Sequence, residues 1–450
     1  MKKNIHFSGV GGVGMSALAQ MATGGEYTVS GSDRDFDRGQ KKELREKLEK
    51  AGVLIYPQDG SGVTGNTVRL VVSTAIEDTN PEIRNAHTCG VPVVHRSEVL
   101  AEYVNSSDTV VVSGTSGKST VVAMIFRILE YAGLQPSVIT GGSLRELMER
   151  GLAGNAFRGK GTALIVEGDE SDGSLVRYKP AKGLALNITK DHKTIDELKK
   201  IFLEFRGNCG EFAWNQNDPV CAEIFSGGKG TPYGVDINGY RVENRSMHPF
   251  SSDFTVSGIS FHLPVPGEYN IENAVAACAG AAMYGVSLET AAVALAGFAG
   301  VDRRFVLTGE KNGIRVVDDF AHNPAKIAAV LSALHGAGKR VFAVYQPHGF
   351  TPTRNLRTEI VRSLTEGLSE DDFLFMPEIY YAGGTVNKTI SSADIVEDVL
   401  SAGKNAKFFP DRSTIPAAIA DMARPGDIIG VMGARDATLS DLASEILEAL

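Results

Sequence analysis

The chain has 450 residues, a length that corresponds to about three domains of ordinary size. Its hydrophobic residues (43%) and charged residues (22%) occur in the proportions of a folded globular protein, which argues against a disordered chain. The formal net charge of -9 argues against a general nucleic-acid-binding protein, because such proteins need clustered Lys and Arg to displace counterions from phosphates.

The cysteine pattern bears on where the protein works. The four cysteines are far apart and form no C-x-x-C pair, so neither a zinc site nor a disulfide framework is predicted. The amino terminus, with Lys2, Lys3 and small apolar residues, is similar to a secretion signal, but glycines between positions 9 and 14 interrupt that stretch. No run of about eighteen apolar residues follows, so we expect a cytoplasmic protein that binds neither membrane nor nucleic acid.

The first segment, 1–105, opens in the order strand, tight turn, helix. A short apolar strand at 5–8 precedes a G-x-G-x-x-G turn, and an apolar stretch at 15–21 has helical spacing. Further strands are predicted at 68–73 and 91–94, and an exposed helix at 40–51. The pattern predicts a small doubly wound domain.

The turn of this segment consists of Gly9-x-Gly11-x-x-Gly14. Such glycines let the backbone approach a diphosphate at a helix amino terminus, where unpaired N–H groups and the helix dipole favour negative charge. Asp33, nineteen residues after Gly14, is in position to bind a ribose hydroxyl. By itself the motif is equally typical of a nicotinamide dehydrogenase, and a purely structural turn is a further alternative.

A second phosphate-binding pattern opens the next segment, 106–300. A β-rich run at 109–113 leads into a Gly-Thr-Ser-Gly-Lys-Ser-Thr loop, which is followed by a helix to about residue 131. The loop glycines let backbone N–H groups surround phosphate oxygens, Lys118 supplies positive charge to the β and γ phosphates, and Ser119 or Thr120 can bind Mg²⁺. Val112 stands where the usual pattern has glycine.

An acidic group follows the strand predicted at 162–166. Glu167, at the strand end, is a hard oxygen ligand that suits Mg²⁺. We interpret Asp169, Glu170 and Asp172 as turn residues that face solvent.

The strand predicted at 184–188 ends close to His192. A structural role and a place in a second metal site are equally supported for this histidine. Helices predicted at 271–284 and 288–298 end the segment.

The last segment, 301–450, predicts a third α/β domain, because apolar strands alternate with helices. The strands are predicted at 314–317, 341–345, 373–376 and 428–432, and the helices at 325–334 and 393–400.

Polar side chains follow two of these strands. Asp318 or Asp319 can bind a ribose, while His322 and His348 are in position to face the reacting groups. A capping or packing role is the alternative for either histidine.

Taken together, these motifs resemble those of the Mur ligase family, the cytoplasmic enzymes that build the peptide of peptidoglycan precursors. The motifs occur in the family's order through nearly the whole chain, at positions 5–15, 30–33, 114–120, 167–172, 191–192, 267–273, 303–305, 318–324 and 345–348. The family also uses the phosphate loop that lacks glycine at position 112. The implied fold is α/β with three domains, which are a Rossmann-like UDP-sugar-binding domain (1–105), a central P-loop ATP-binding domain (106–300) and a Rossmann-like domain for the amine substrate (301–450).

The resemblance implies a role for each matching residue. The UDP sugar is expected to contact Gly11, Gly12, Val13, Gly14, Met15, Ser32, Asp33, Ser73 and Arg96. ATP is expected to contact Gly114, Thr115, Ser116, Gly117, Lys118, Ser119, Thr120, Asn273, Arg304 and Asp319. The expected magnesium ligands are Ser119, Glu167 and His192, and the expected catalytic residues are Lys118, Glu167, His192, His322 and His348.

The family chemistry is the ATP-dependent formation of an amide bond. The carboxylate of a UDP-N-acetylmuramoyl substrate is activated as an acyl phosphate and joined to the amine of an amino acid or peptide, with ATP and Mg²⁺ required. The opening motifs are most similar to those of the members that add L-alanine to UDP-N-acetylmuramate, which makes L-alanine the default amine, and of those that add a recycled tripeptide. A non-catalytic nucleotide-binding paralogue is the third alternative.

Several positions depart from the family pattern. Members that add L-alanine carry arginines where this chain has Gly349 and Pro352, and tyrosine where it has Phe320. Since those arginines are expected to pair with carboxylate or phosphate oxygens, their absence makes the amine uncertain. Some members carry a carbamylated lysine, for which Lys199 or Lys200 could serve, but we interpret both as helix surface.

Overall fold

The computed structural model describes residues 3–170, 173–190, 193–381 and 388–450. The chain forms two compact units, one made of Met1–Arg245, Phe254–Pro264 and Tyr269–Val301 and the other of Ser246–Asp253, Val265–Glu268 and Asp302–Leu450. Because this division does not separate 1–105 from 106–300, the predicted domain boundaries stay predictions. Within the described ranges, no helix is long and apolar enough to cross a membrane.

The first sheet lies in the larger unit. Its elements are β1 (Asn4–Ser8), α1 (Val13–Ala22), β2 (Thr28–Ser32), α2 (Arg34–Asp37), α3 (Lys42–Lys50), β3 (Val53–Tyr56), β4 (Thr67–Val72), α4 (Pro81–Cys89), β5 (Val93–His95) and α5 (Arg96–Ser106). The five strands are parallel, in the order β3-β2-β1-β4-β5. The chain order therefore reverses beside β1, where a doubly wound sheet binds its ligands.

The central sheet lies in the same unit. Its elements are β6 (Asp108–Ser113), α6 (Lys118–Tyr131), β7 (Ser137–Ile139), α7 (Arg145–Glu149), β8 (Ala156–Phe157), β9 (Ala163–Glu167), a short 3-10 helix (Leu175–Arg177), β10 (Lys182–Ala185), α8 (Ile195–Asn208), β11 (Glu211–Asn215), α9 (Pro219–Phe225) and β12 (Thr231–Tyr233). The seven strands have the order β12-β11-β10-β6-β9-β7-β8. Only the pairing of β8 with β7 is antiparallel among the described pairs.

A small three-stranded sheet follows, which the sequence did not indicate. It comprises β13 (Val242–His248), β14 (Ser251–Val256) and β15 (Ile259–Leu263), and the helices α10 (Glu268–Ala282) and α11 (Leu288–Leu295) come after it. In β13 every residue after Val242 is exposed, so the strand lacks the alternation of apolar and polar residues that identifies a strand in sequence.

The third sheet lies in the smaller unit. Its elements are β16 (Val306–Lys311), β17 (Ile314–Asp319), α12 (Pro324–His335), β18 (Val341–Gln346), α13 (Phe350–Asn355), α14 (Arg357–Gly367), β19 (Phe373–Pro377), α15 (Ser392–Ser401), β20 (Asn405–Phe409), a 3-10 helix (Arg412–Thr414), α16 (Ile415–Ala420), β21 (Ile428–Gly433) and α17 (Leu439–Ala449). The six strands have the order β16-β17-β21-β18-β19-β20, and only β16 runs antiparallel to its neighbour.

One predicted strand begins two residues and ends three residues later than the observed one. The apolar run at 184–188 predicted a strand there, whereas β10 ends at Ala185. Beyond that point the backbone turns over the glycine loop, where the carbonyl of Asn187 accepts a hydrogen bond from the Thr115 N–H at 3.1 Å. Apolar character alone cannot distinguish residues in a sheet from residues packed over a loop.

A buried polar cluster joins β1, β2 and α4 of the first sheet. The His6 ring is fully buried, with Nδ1 2.7 Å from the Ser30 hydroxyl and Nε2 2.9 Å from a carboxylate oxygen of Glu82. The Ser8 hydroxyl donates to the other oxygen of that carboxylate. A Cβ at Gly62 would lie 2.3 Å from the His6 ring, so the chain passes this cluster with glycine. The cluster fixes the end of β1, from which the first glycine turn begins.

We expect Glu82→Ala to lower the free energy of unfolding by about 3–5 kcal/mol, because it leaves buried polar partners uncompensated. Chemical denaturation followed by circular dichroism measures this change. Glu77→Ala, at an exposed position near the start of the same helix, is the control and should change the value by less than about 0.5 kcal/mol. Equal effects of the two substitutions would contradict a stabilising role for the buried cluster.

Candidate functional site

The first glycine turn is held by Asp33, which follows β2. One carboxylate oxygen of Asp33 accepts the N–H of Gly11 at 2.9 Å, and the other accepts the N–H of Asp35 at 2.9 Å. A Cβ at Gly11 would lie 2.8 Å from the Asp33 carboxylate, which explains the glycine. Asp33 therefore supports the turn, and each carboxylate oxygen keeps a lone pair for a further hydrogen bond.

Beside the turn, three features favour an anionic or polar ligand. Helix α1 has Gly12 at its N-cap and no side-chain cap, so N–H groups of its first turn are left for a ligand. The Arg96 guanidinium lies against Gly14, since a Cβ there would be 3.0 Å from Nη1. The Ser32 hydroxyl is buried and has no hydrogen-bond partner among the described residues. Ser73 follows β4, on the other side of β1.

The second glycine loop joins β6 to α6. Gly114 and Gly117 have φ values of +147° and +83°, conformations that favour glycine. A Cβ at Gly117 would lie 2.6 Å from Oδ1 of Asn273, so the structure brings this predicted site residue against the loop. Asn187, which the sequence did not single out, accepts the Ser116 N–H and the Thr115 hydroxyl with the same side-chain oxygen, at 2.8 and 2.9 Å.

Lys118, at the start of α6, is paired with an acidic residue. Its ammonium donates to a carboxylate oxygen of Glu170 at 2.8 Å and to the Gly114 carbonyl at 2.5 Å. The interpretation of Glu170 as a solvent-facing turn residue is wrong, because it is only 6% exposed. Burial raises its carboxyl pKa above the usual value, and the nearby Lys118 opposes that shift. The pattern of turn residues predicted a surface, whereas Glu170 turns inward onto the lysine; Asp172 lies outside the described residues.

Ser119 and Glu167 meet at the adjacent end of the sheet. The Ser119 hydroxyl lies 3.0 Å from both carboxylate oxygens of Glu167, one of which also accepts the Thr140 hydroxyl at 2.6 Å and the Gly141 N–H at 2.8 Å. Sequence reasoning missed Thr140 because the strand before it, β7, has only three residues. These contacts hold the carboxylate in one orientation.

The third predicted metal ligand, His192, lies outside the described residues. Within the described part of the chain, no group of three or more His, Cys, Asp and Glu side chains is arranged to hold a metal ion. Lys199 forms an ion pair with Glu223 at 2.6 Å, and Lys200 is exposed, as expected for helix surface.

In the smaller unit, Asp319 ends β17 and is nearly buried. Its two carboxylate oxygens accept the N–H groups of Phe305 and Ala321, both at 2.7 Å. Burial raises the carboxyl pKa to about 6, against the opposing effect of Arg304. The Arg304 guanidinium lies 5.1 Å from the ring centre of Phe320. Asp319 thus holds the segment that carries Arg304 against the end of the strand.

Two predicted histidines meet at the same edge of this sheet. The ring centres of His322 and His348 are 5.3 Å apart. His322 Nδ1 lies 2.9 Å from the Phe320 carbonyl, and a carbonyl only accepts, so Nδ1 carries the proton. Burial lowers the His322 pKa to about 3, with nearby Lys326 adding to the shift. The ring is therefore neutral at pH 7, with a lone pair on Nε2.

One of the two departures beyond β18 has a local explanation. Gly349 has a φ of +73° and precedes α13, and Pro352 lies in the first turn of that helix. An arginine at position 349 would adopt a strained backbone conformation here. Nothing in the structure explains the proline at position 352.

The folds and sites define a class of protein, the nucleotide-using ligases. One α/β sheet carries a glycine turn suited to a diphosphate, and another carries a P-loop beside a carboxylate that is held in one orientation. Family models match in the same order. "Mur ligase family, catalytic domain" matches residues 4–107, "Mur ligase middle domain" matches 112–281, and "Mur ligase, glutamate ligase domain" matches 303–435.

Similar proteins support the match. The UDP-N-acetylmuramate--L-alanine ligase of Streptomyces griseus is 34% identical over 99% of this chain and 97% of its own length. That of Caulobacter sp. strain K31 is 34% identical over 96% of this chain and 94% of its own. The crystal structure of the corresponding ligase of Thermotoga maritima has a TM-score of 0.79 at 24% identity, covering 99% and 98% of the two chains. A murein peptide ligase of Psychrobacter arcticus has a TM-score of 0.66 at 22% identity, covering 99% and 98%.

This chain belongs to the Mur ligase family and is an ATP-dependent ligase. The predicted family and the three-domain α/β fold are confirmed. The ligase interpretation is confirmed in place of the dehydrogenase and the non-catalytic paralogue.

We expect the His322 ring to stay neutral, with the proton on Nδ1, from pH 8 down to about pH 4.5, because its pKa is lowered to about 3. Nitrogen NMR of the histidine-labelled protein measures both the charge and the tautomer, and His322→Gln assigns the signal. A doubly protonated ring at pH 6 would contradict the analysis of this site.

Proposed function

We propose that the chain joins L-alanine to the carboxylate of UDP-N-acetylmuramate at the expense of ATP, as a step in the synthesis of peptidoglycan precursors. The contact of Ser119 with Glu167 beside Lys118 carries this proposal, because it combines a phosphate-binding loop with a fixed metal-binding carboxylate. The names of the relatives that match almost the whole chain supply the substrates.

The UDP sugar binds at the first glycine turn. The uncapped N–H groups of α1 and the Arg96 guanidinium meet the diphosphate, since both favour negative charge. The unpaired Ser32 hydroxyl gains a partner when the ligand binds, which offsets the free-energy penalty of burying it. Gly11, Gly12, Val13, Met15, Asp33 and Ser73 complete this pocket.

ATP binds at the second glycine loop. The N–H groups of residues 114–120 surround the phosphates, and the Lys118 ammonium moves from Glu170 to the β and γ phosphate oxygens. Asn273, which lies against Gly117, contacts the nucleotide from the side of α10. The contacts of Arg304 and Asp319 with ATP, which the family resemblance implies, stay predictions.

The donor set at Ser119 and Glu167 fits Mg²⁺. A hydroxyl and a carboxylate are hard oxygen ligands, and hydrogen bonds from Thr140 and Gly141 hold the carboxylate in place. Ser119 and Glu167, together with His192, would hold the ion, which offsets charge on the phosphates when bound.

The chain's side chains then serve two chemical steps. Lys118 offsets charge on the γ phosphoryl group as the muramoyl carboxylate attacks the γ phosphorus and ADP leaves, which gives an acyl phosphate. The neutral amine attacks the acyl carbon, the C–O bond to phosphate breaks, and inorganic phosphate leaves with the proton that the amine loses as the amide forms. The neutral Nε2 of His322 accepts a hydrogen bond from the amine N–H, and His348 packs against that ring.

The amine itself is the finer part of the proposal. The relatives named above support L-alanine. Phe320, Gly349 and Pro352 depart from the pattern of the alanine-adding members, so a tripeptide-adding enzyme of peptidoglycan recycling is the second candidate. A cytoplasmic location and the domain boundaries at 105 and 300 remain predictions.

We expect wild-type protein to release phosphate with UDP-N-acetylmuramate, ATP, Mg²⁺ and L-alanine, and to release it faster than with other amino acids or with the tripeptide. A coupled phosphate assay over this panel of amines measures the preference. Turnover with the tripeptide alone would reassign the enzyme to the second candidate.

We expect Lys118→Ala to lower phosphate release by about two to three orders of magnitude while UDP-sugar affinity stays within about twofold, because Lys118 acts only at the nucleotide. The assay is repeated with a Lys118→Ala, Glu170→Gln double variant, which leaves no buried carboxylate without its partner. Retained turnover in both variants would refute the role of Lys118.

We expect Glu170→Gln to tighten ATP binding by about tenfold, because phosphate oxygens no longer compete with a carboxylate for Lys118. Titration calorimetry with the Mg²⁺ complex of a non-hydrolysable ATP analogue measures the affinity. Asp169→Asn, which removes the same charge from the neighbouring, half-buried position, is the control and should have a smaller effect. Unchanged or weaker binding by Glu170→Gln would show that this carboxylate does not compete.

A further inference from the structure

Arg435, two residues beyond β21, combines three unusual properties. Its backbone has a φ of +69°, in the left-handed region that side chains other than those of Gly, Asn and Asp rarely adopt. The residue is exposed. Its guanidinium forms no hydrogen bond or ion pair with the described residues. An arginine therefore occupies a backbone position suited to glycine without stabilising the fold in return.

The surrounding loop is held firmly in this shape. The buried Arg303 guanidinium donates to the carbonyls of Gly433 and Asp436, at 2.8 and 2.9 Å, on either side of Arg435. Arg412 donates to the Asp436 carboxylate at 2.6 Å. Such contacts are what keeps a strained residue in place, and strain maintained in this way is found mainly at functional sites. The loop directs the Arg435 side chain into solvent.

The topology puts this loop at the edge that carries the two histidines. Strand β21 lies between β17 and β18, with Met432 paired to both Asp319 and Tyr345. His322 follows β17 and His348 follows β18, and their rings touch across the end of β21. The loop that starts at Gly433 therefore begins beneath the histidine pair.

We propose that Arg435 binds the carboxylate of the incoming amino acid and so determines that the enzyme uses an amine that carries a carboxylate. The inference rests on the proposed function. A guanidinium binds a carboxylate through two parallel hydrogen bonds, a geometry that lysine does not reproduce.

The strand order puts groups suited to the two ends of an α-amino acid on the loops after two adjacent strands, β17 and β21. The neutral His322 nitrogen accepts a hydrogen bond from the amine, while Arg435 binds the carboxylate one carbon atom away. An exclusively structural role would favour glycine at position 435, because glycine adopts this φ without strain. Replacing Arg435 with glycine should therefore maintain or raise stability while it weakens the binding of the amino acid.

The first experiment measures the kinetics of Arg435→Gly and Arg435→Lys by phosphate release. We expect Arg435→Gly to raise the KM for L-alanine by about tenfold to a hundredfold, because a charge-assisted pair of hydrogen bonds is lost. The KM values for ATP and for the UDP sugar should stay within about twofold of the wild-type values. The variant should also lose the preference for L-alanine over L-alaninamide, which has no carboxylate. Arg435→Lys should fall between Arg435→Gly and the wild type.

Thermal unfolding of the same variants separates substrate binding from folding. Arg435→Gly should unfold at the same temperature as the wild type or higher, because the strain is relieved. Arg424→Gln removes an exposed positive charge just before the opposite end of β21 and serves as the matched control, with no change in the KM for L-alanine expected.

A second measurement does not depend on turnover. Phenylglyoxal modifies exposed guanidinium groups, and mass spectrometry gives its rate of reaction at Arg435. In the presence of the UDP sugar and a non-hydrolysable ATP analogue, L-alanine should slow that reaction and L-alaninamide should not. Wild-type protein without ligase turnover but with this protection would contradict the proposed function and leave the Arg435 assignment standing.

Three results would overturn the proposal for Arg435. The first is an unchanged KM for L-alanine in Arg435→Gly. The second is a raised KM for ATP instead, together with protection by nucleotide alone, which would assign the guanidinium to phosphates. The third is a lower unfolding temperature for Arg435→Gly with a KM for L-alanine like that of the wild type, which would make the residue structural.

Discussion

The pairing of β6 with β9 is the constraint on which the candidate ATP site depends. These parallel strands are in a register that sets Val112 opposite Glu167, so the glycine loop and the acidic strand end leave the sheet side by side. The first helical turn after the loop then brings Ser119 within 3.0 Å of Glu167. A slip of one residue in this register would turn Glu167 to the other face of the sheet and separate the two groups.

Charged side chains at strand ends serve mainly to hold the loops from which ligands are bound. Asp33 holds the first glycine turn through the Gly11 N–H, and Asp319 holds the segment that carries Arg304 through the Phe305 N–H. In each case a buried carboxylate receives backbone hydrogen bonds, which keeps an irregular segment in one conformation. The energetic penalty of burying the carboxylate is offset by those bonds and by the rigidity of a preorganised site.

Lys118 and Arg435, the basic residues proposed to bind anions, are held in different ways before the ligand binds. Lys118 is paired with the buried Glu170, so its charge is compensated until phosphates arrive. Arg435 has no such partner among the described residues and is held outward by a strained loop. The first arrangement stabilises the chain without its ligand, whereas the second lowers stability in favour of binding. In both arrangements the positive charge is available to an incoming anion.

The sequence by itself determined the local elements at the sites. The glycine spacings, the lysine after the second loop and several apolar strands of the three larger sheets follow from short-range rules, since a tight turn requires glycine and a buried parallel strand requires an apolar run. Those rules also indicated that Glu167, His322 and His348 lie at strand ends. Only the tertiary structure decided that Glu170 turns inward to Lys118, that Thr140 holds the Glu167 carboxylate and that Arg435 has no partner in the described part of the chain. Each of these depends on contacts between residues far apart in the chain, which no local pattern records.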